Sequence, residues 1–288
     1  MACSVTAICF PWMTSAWPSV VSPAPTQETA FPYMLTPFSA QLPIPTVPAE
    51  ISQLPPLTGG PERPGQRPPY SRTIDWASLY PRDIILRGPM DRREVALTFD
   101  DGPDAVFTPQ ILNVLRRTGG KGTFFVVGRR VRRYPGVLQR MLREGHEVGN
   151  HSWSHPKMSR LSAGQVRTEL RRASDEMNRV GNVRPRFFRP PYGALSETVI
   201  QVAVAEGYKI ILWNVDSLDW SGIPRTALAT NVLSQVRPGS IILMHSATGR
   251  GGNLQNTVQA LPSIIRRLRR EGYRFVKVSE LLDMRAYR

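Results

Sequence analysis

From about residue 92 onward, short apolar, β-branched runs alternate with stretches of helical periodicity. This rhythm constrains the fold more than any other feature of the 288 residues. The runs predict strands over 94–100, 122–127, 146–151, 186–189, 208–216, 240–245 and 274–278. Helical patterns fall between them at 107–118, 134–144, 162–180, 196–206, 225–236 and 256–270. Ser162 and Gln165 have the spacing of a capping box at the start of the third helix. Strands alternating with helices imply parallel βα units. The strands read as nearly continuous apolar runs, as a sheet covered on both faces requires. Seven such units predict an α/β chain with a barrel-like (β/α) fold, short of the eight repeats of a TIM barrel. A doubly wound open sheet is the alternative.

The rhythm stops short of the N-terminus. Residues 1–69 hold fifteen of the 27 prolines and carry a net charge of −1. Proline at that density removes backbone donors and blocks helix interiors, so 1–69 reads as an extended tail or linker. The catalytic unit is expected over 70–288, with its core at about 92–283. No Lys or Arg precedes Arg63, so a secretion signal's basic start is missing from the sequence as given. No apolar run reaches the roughly 18 residues of a membrane span. Cys3 and Cys9 both lie near the start, which excludes a disulfide framework or a cysteine zinc site farther on. Net charge is +15, with 33 arginines and four lysines, a surface drawn to polyanions such as an anionic wall polymer. A solvated basic surface is the plainer account.

The polar residues collect at one edge of the predicted sheet. One strand ends in Asp100-Asp101-Gly-Pro and another in Asn150-His151-Ser-Trp-Ser-His155. Others end in Arg189-Pro-Pro-Tyr192, in Asp216-Ser-Leu-Asp219-Trp220, and in Leu243-Met-His245. The C-terminal edge of a parallel sheet is where ligands bind and chemistry occurs. Alone, each of these has a bland reading. Asp-Gly-Pro is common turn chemistry, and an arbitrary pair of histidines four apart is usually packing or surface. Five coincidences at one edge favour a site.

Two adjacent carboxylates repel if both are ionised, and a cation holding one leaves the other free as a base. His155 precedes Pro156, which disfavours a helix there, so His151 and His155 predict a metal-binding turn. With Asp101 they make two imidazoles and one carboxylate, which suits Zn²⁺, Co²⁺ or Ni²⁺. His245 is a proton donor or acceptor near neutral pH, with Asp219 placed to hold its ring. Arg189 is placed to pair with Asp100, and the Tyr192 N–H to meet an oxyanion. Trp220 and Leu243 are candidate walls of an apolar pocket, and equally candidates for the core. His146 opens its strand at the opposite edge and reads as structural. Gly249-Arg-Gly-Gly252 reads as a flexible loop, and the 266–270 arginine cluster as a solvated face rather than a specific nucleic-acid contact.

Taken in order, these five motifs resemble those of the polysaccharide deacetylases of NodB-homology type, carbohydrate esterase family 4. The likeness covers about 92–283 and leaves out the proline-rich head. It implies a distorted (β/α) barrel and metal-assisted removal of N-acetyl groups from a hexosamine polymer, with release of acetate. Carried over, Asp101, His151 and His155 bind one divalent metal, Zn²⁺ first. Asp100 is the base, and Arg189 orients it. The Tyr192 N–H helps hold the oxyanion, His245 protonates the leaving amine, and Asp219 tunes His245. Asp101 stands where relatives acting on muramic acid often carry Asn, so N-acetylglucosamine residues are expected, in peptidoglycan first and chitin-type oligomers second. Such a substrate implies a place outside the cytoplasm, secreted or at the cell envelope. The alternatives are an O-acetyl esterase on another glycan such as acetylxylan, and a non-catalytic wall-binding protein on the same fold. An Fe(II) oxygenase also uses two His and one carboxylate, but leaves Asp100, Asp219 and His245 without work.

Overall fold

The computed structural model describes residues 74–288; the proline-rich segment 1–69 and both cysteines lie outside the described residues. Its strands are β1 (Ile84–Ile85), β2 (Glu94–Asp100), β3 (Thr123–Val126), β4 (Glu147–Asn150), β5 (Phe187–Phe188), β6 (Lys209–Ile211), β7 (Val215–Asp216), β8 (Ile241–His245) and β9 (Arg274–Val276). Its helices are α1 (Trp76–Leu79), α2 (Phe107–Thr118), α3 (Gly128–Arg133), α4 (Pro135–Arg143), α5 (Ala163–Gly181), α6 (Glu197–Ala205), α7 (Arg225–Gln235), α8 (Gln255–Arg270) and α9 (Val278–Leu281). The strands pair in parallel in the order β1-β6-β5-β4-β3-β2-β8-β7, with β9 also on β2. None of the described helices is long and apolar enough to cross a membrane.

β2 is the central strand, and all of it is buried. Strand alternation divides its side chains. Val95, Leu97 and Phe99 face outward into the main core, with Ile111 and Leu115 of α2 and Leu261, Ile264 and Ile265 of α8. Ala96 joins Phe125, Phe187, Ile211 and Ile241 in a second cluster inside the sheet's curl. Thr98 and Asp100 continue that inner face by alternation. The inner row therefore turns polar toward the C-terminal end of the strand. The expected capping box of α5 forms, with both Ser162 and Gln165 bonds present.

One predicted strand, 208–216, divides in two, and the division makes the barrel. β6 stands second in the sheet order and β7 last, yet only Leu212, Trp213 and Asn214 separate them. Such a link spans about 14 Å at most, so the sheet curls until its ends lie side by side. The result is a distorted (β/α) barrel whose seam has no ladder. Asn214 anchors the start of β7 to β8: its Oδ1 accepts the Ile241 N–H at 2.8 Å and its Nδ2 donates to Ser240 Oγ at 3.2 Å. An isolated antiparallel bridge joins Arg87 to Ser240.

Three further elements depart from expectation. β1 is only Ile84–Ile85, too short for a periodic signal, and extends the barrel before residue 92. α3 is rich in arginine, with Val131 as its buried aliphatic side chain, so it has no apolar stripe to read. Val278 begins α9 rather than ending a strand.

Candidate active site

Asp100 ends β2 and His245 ends β8, and the two are register partners on adjacent strands. Arg189 follows β5 and reaches the Asp100 carboxylate with no exposure to solvent. Its Nη1 donates to Asp100 Oδ1 and to Thr98 Oγ1, each at 2.8 Å. Its Nε and Nη2 donate to the carbonyls of Ile211 (2.9 Å) and Leu212 (3.0 Å), where β6 breaks. The guanidinium lies 4.2 Å over the Phe125 ring. One oxygen of Asp100 is thus fixed. The other, Oδ2, faces His151 Nε2 at 3.8 Å.

Asp101 turns the opposite way, with φ at 71°. Its Oδ1 lies 3.4 Å from His151 Nε2 and 3.1 Å from His155 Nε2. His151 Nδ1 is 2.7 Å from the Arg189 carbonyl oxygen. A carbonyl only accepts, so Nδ1 holds the proton and Nε2 offers a lone pair. Asp101 Oδ1 and both ring nitrogens of His155 are buried without a hydrogen bond. Buried polar atoms left this way cost free energy unless something fills their need. Two imidazole nitrogens and a carboxylate oxygen within 4.8 Å of one another are a donor set that fits a divalent cation. The histidines sit on a turn, as His155-Pro156 implies. Burial works to raise the Asp101 carboxyl, but attraction to the His155 and His151 rings beside it outweighs burial and holds it well below the usual range. Burial likewise opposes charge on His151, and the neighbouring Asp100 and Asp101 charges overcome this and raise it.

Across the site, His245 Nδ1 donates to Asp219 Oδ1 at 2.7 Å. Asp219 Oδ2 accepts the His245 backbone N–H at 2.9 Å and the Thr257 hydroxyl at 3.0 Å. A cavity of about 380 Å³ opens beside them, with Asp101, Asp219 and His245 on its walls. Trp220 lines it as expected, but most of the remaining wall is polar, including Ser221, Thr248, Asn253 and Gln255. Leu243 is buried on β8, two residues before His245, and is not part of the cavity lining. The Tyr192 ring packs edge-on against His155, with centroids 4.7 Å apart. His146 is remote from these groups and accepts the Gly122 N–H at 3.2 Å, a structural bond.

Strain marks the same residues. Of seven described non-glycine residues with positive φ, five are Asp101, Ser152, His155, Tyr192 and Leu218. Such conformations cost about 1–3 kcal/mol each and persist where their surroundings over-determine them. Sequence reasoning missed three contributors. The segment around Gly249–Gly252, read only as a flexible loop, walls the cavity together with the start of α8. Arg130 is buried and donates from Nη2 to the Thr248 carbonyl at 2.6 Å. Glu169 binds the turn between the two histidines. A buried arginine in a basic helix, or one glutamate on a charged helix face, carries no distinctive local pattern.

Comparison with known proteins fits this geometry. The sequence model of the family described as Polysaccharide deacetylase matches residues 87–211. A peptidoglycan-N-acetylglucosamine deacetylase of Bacillus cereus is 40% identical over 210 residues, covering 73% of this chain and 75% of that protein. Among solved structures, the Bc1960 peptidoglycan N-acetylglucosamine deacetylase superposes with a TM-score of 0.71 at 37% identity, over 74% of this chain and 99% of that one. A CE4 family pseudoenzyme from Bacillus anthracis also superposes, with a TM-score of 0.65 at 32% identity over 69% of each chain. Fold likeness at this level therefore does not by itself carry activity, which rests on the side chains of the site.

Proposed function

Because the chain belongs to the polysaccharide deacetylase family, hydrolases of carbon–nitrogen bonds other than peptide bonds, we propose that it removes N-acetyl groups from N-acetylglucosamine residues of peptidoglycan in a metal-dependent reaction. Chitin-type oligomers are the second substrate, and the site of action is outside the cytoplasm, at the wall. The observation that carries the reading is the buried Asp101–His151–His155 donor set flanked by Asp100 and by the His245–Asp219 pair.

Asp101, His151 and His155 would hold a divalent ion, Zn²⁺ first, which would supply Lewis acidity for the amide carbonyl and for the attacking water. The rest is the work of the chain's own groups. Asp100 Oδ2 takes the water's proton while Arg189 holds Oδ1 and keeps the carboxylate oriented. The Tyr192 N–H stabilises the developing oxyanion. An amine is a poor leaving group until protonated, and His245 Nε2 delivers that proton. Asp219 holds Nδ1–H, so the ring presents Nε2 to the cavity. The polar cavity wall suits the hydroxyls of a sugar.

The test is acetate release by the full chain from peptidoglycan and from N-acetylglucosamine oligomers, after chelation and after adding back Zn²⁺ or Co²⁺. Metal-restored release from peptidoglycan is the expected result. Binding to the wall without release in any metal would favour the non-catalytic reading and sink this one.

A further inference from the structure

The two histidines of the donor set sit on a five-residue turn, His151-Ser-Trp-Ser-His155, with two residues at positive φ: Ser152 at 68° and His155 at 59°. Left-handed backbone at these side chains is held only by what surrounds it. Its hydrogen bonds can be followed one by one. Asn150 Oδ1 accepts the Ser152 N–H at 2.8 Å, and Ser152 Oγ accepts the His155 N–H at 2.9 Å. On the next strand's side, Gly128 and Arg129 donate their N–H groups to the Ser152 and Trp153 carbonyls at 3.0 and 2.9 Å. Gly128 is required for that approach: a Cβ there would stand 2.5 Å from the Trp153 ring and 2.9 Å from Ala173 Cα.

The middle of the turn is held by one distant side chain. Glu169 on α5 accepts the Trp153 N–H at 3.0 Å and the Ser154 N–H at 2.8 Å, both on Oε2. Its Oε1 accepts the Ser154 hydroxyl at 2.8 Å. Three donors of the turn thus converge on one carboxylate.

We infer that Glu169 is a positioning residue for the metal site: it fixes the turn that aims His151 and His155 at Asp101. This rests on the metal-dependent reading above. Outer groups that orient ligands typically change metal affinity by about 10–100-fold when lost. The role belongs to reach and acceptor geometry rather than to charge, and two variants separate these. Glu169→Asp keeps the charge but shortens the side chain by about 1.5 Å, too far to keep bonds of this length. Glu169→Gln keeps the reach. Its carbonyl oxygen replaces Oε2 beneath the two N–H groups, and its amide donates to the Ser154 hydroxyl, which rotates to accept.

The measurement is titration of the metal-free full chain with Zn²⁺ and with Co²⁺, together with the visible spectrum of the Co²⁺ form and the melting temperature without metal. E169D should bind about 10-fold or more weakly with an altered Co²⁺ spectrum, and E169Q should stay within about threefold of the parent with its spectrum. E169D binding like the parent would overturn the inference. So would E169Q losing as much as E169D, because charge would then be the cause. Parent protein that binds no metal would overturn the reading underneath instead, which keeps the two failures apart. Should E169D fail to fold, Ser154→Ala removes one of the three bonds and should still weaken binding; no change there, with E169Q also unchanged, would count against the role.

Discussion

Replacing Asp219 by Asn tests how the proton donor is prepared. The substitution is nearly isosteric, but the surroundings allow the amide one orientation. The atom in the place of Oδ2 must remain an acceptor, because it faces the His245 backbone N–H at 2.9 Å, and that donor cannot turn away. The NH₂ group therefore lands against His245 Nδ1, where Asp219 Oδ1 now stands at 2.7 Å. Nδ1 must then accept, and the protonated ring meets a donor where it had a carboxylate. A hydrogen bond to a charged partner contributes about 1.5–3 kcal/mol. Lost from the imidazolium, this predicts a fall in kcat of about 10- to 150-fold. The assay is steady-state acetate release by the metal-loaded full chain, with a melting curve beside it. KM should hold, since Asp219 acts through His245. A kcat within about threefold of the parent, in a variant that melts normally, would refute the reasoning and reduce Asp219 to a packing partner.

Further outcomes follow from the same geometry. Asp100→Ala should retain metal titration and lose turnover by about 10²-fold or more; substantial activity would remove Asp100 as the base. His151→Ala should lose stoichiometric metal binding, and an unchanged titration would take His151 out of the donor set. His151 holds its proton above the usual imidazole range without metal, so metal binding should release protons and weaken as pH falls. Calorimetry in buffers of different ionisation heat reads that release, and its absence near neutral pH would contradict the assigned ligand. His146 is held down to about 4 by burial and then by the Lys121 charge. The unfolded chain keeps the ordinary value near 6.5, so it takes the proton first as pH falls. This stability is present above about 6.5 and lost on the way down to about 4, amounting to about 3 kcal/mol. Urea unfolding of the parent and of His146→Gln should converge or cross by that amount between pH 7 and 4; parallel curves would show that His146 does not titrate this way.

Much of the barrel was legible because its strands are buried on both faces. Glu94–Asp100 is an unbroken buried run that announces both its strand and the polar residues at its end. The same logic placed the motifs around Asp100, His151, Arg189, Asp219 and His245 at one edge. The seam was not legible. The residues from Tyr208 to Asp216 read as one apolar strand, and the break depends on Asn214 finding Ser240 and Ile241 from another part of the chain. The cavity wall was missed because a glycine-rich loop shows no periodicity, so its place beside His245 is a tertiary fact. Glu169 was missed for a different reason. It flanks the buried stripe of Val166, Leu170 and Ala173 on an otherwise charged helix, where a glutamate ordinarily faces water.

The seam between Ile211 and Val215 also ties chemistry to folding order. Arg189 caps the two carbonyls left there and holds Asp100, a residue 89 positions away in the chain. Contacts this distant in sequence carry a large loop-closure cost and form late. A partly assembled barrel has neither its capped seam nor an oriented Asp100. Hydrolytic competence thus arrives with the closing of the ring, and the unfinished chain is silent without an inhibitor. Regain of activity during refolding should accordingly report barrel closure and lag behind the recovery of helical signal.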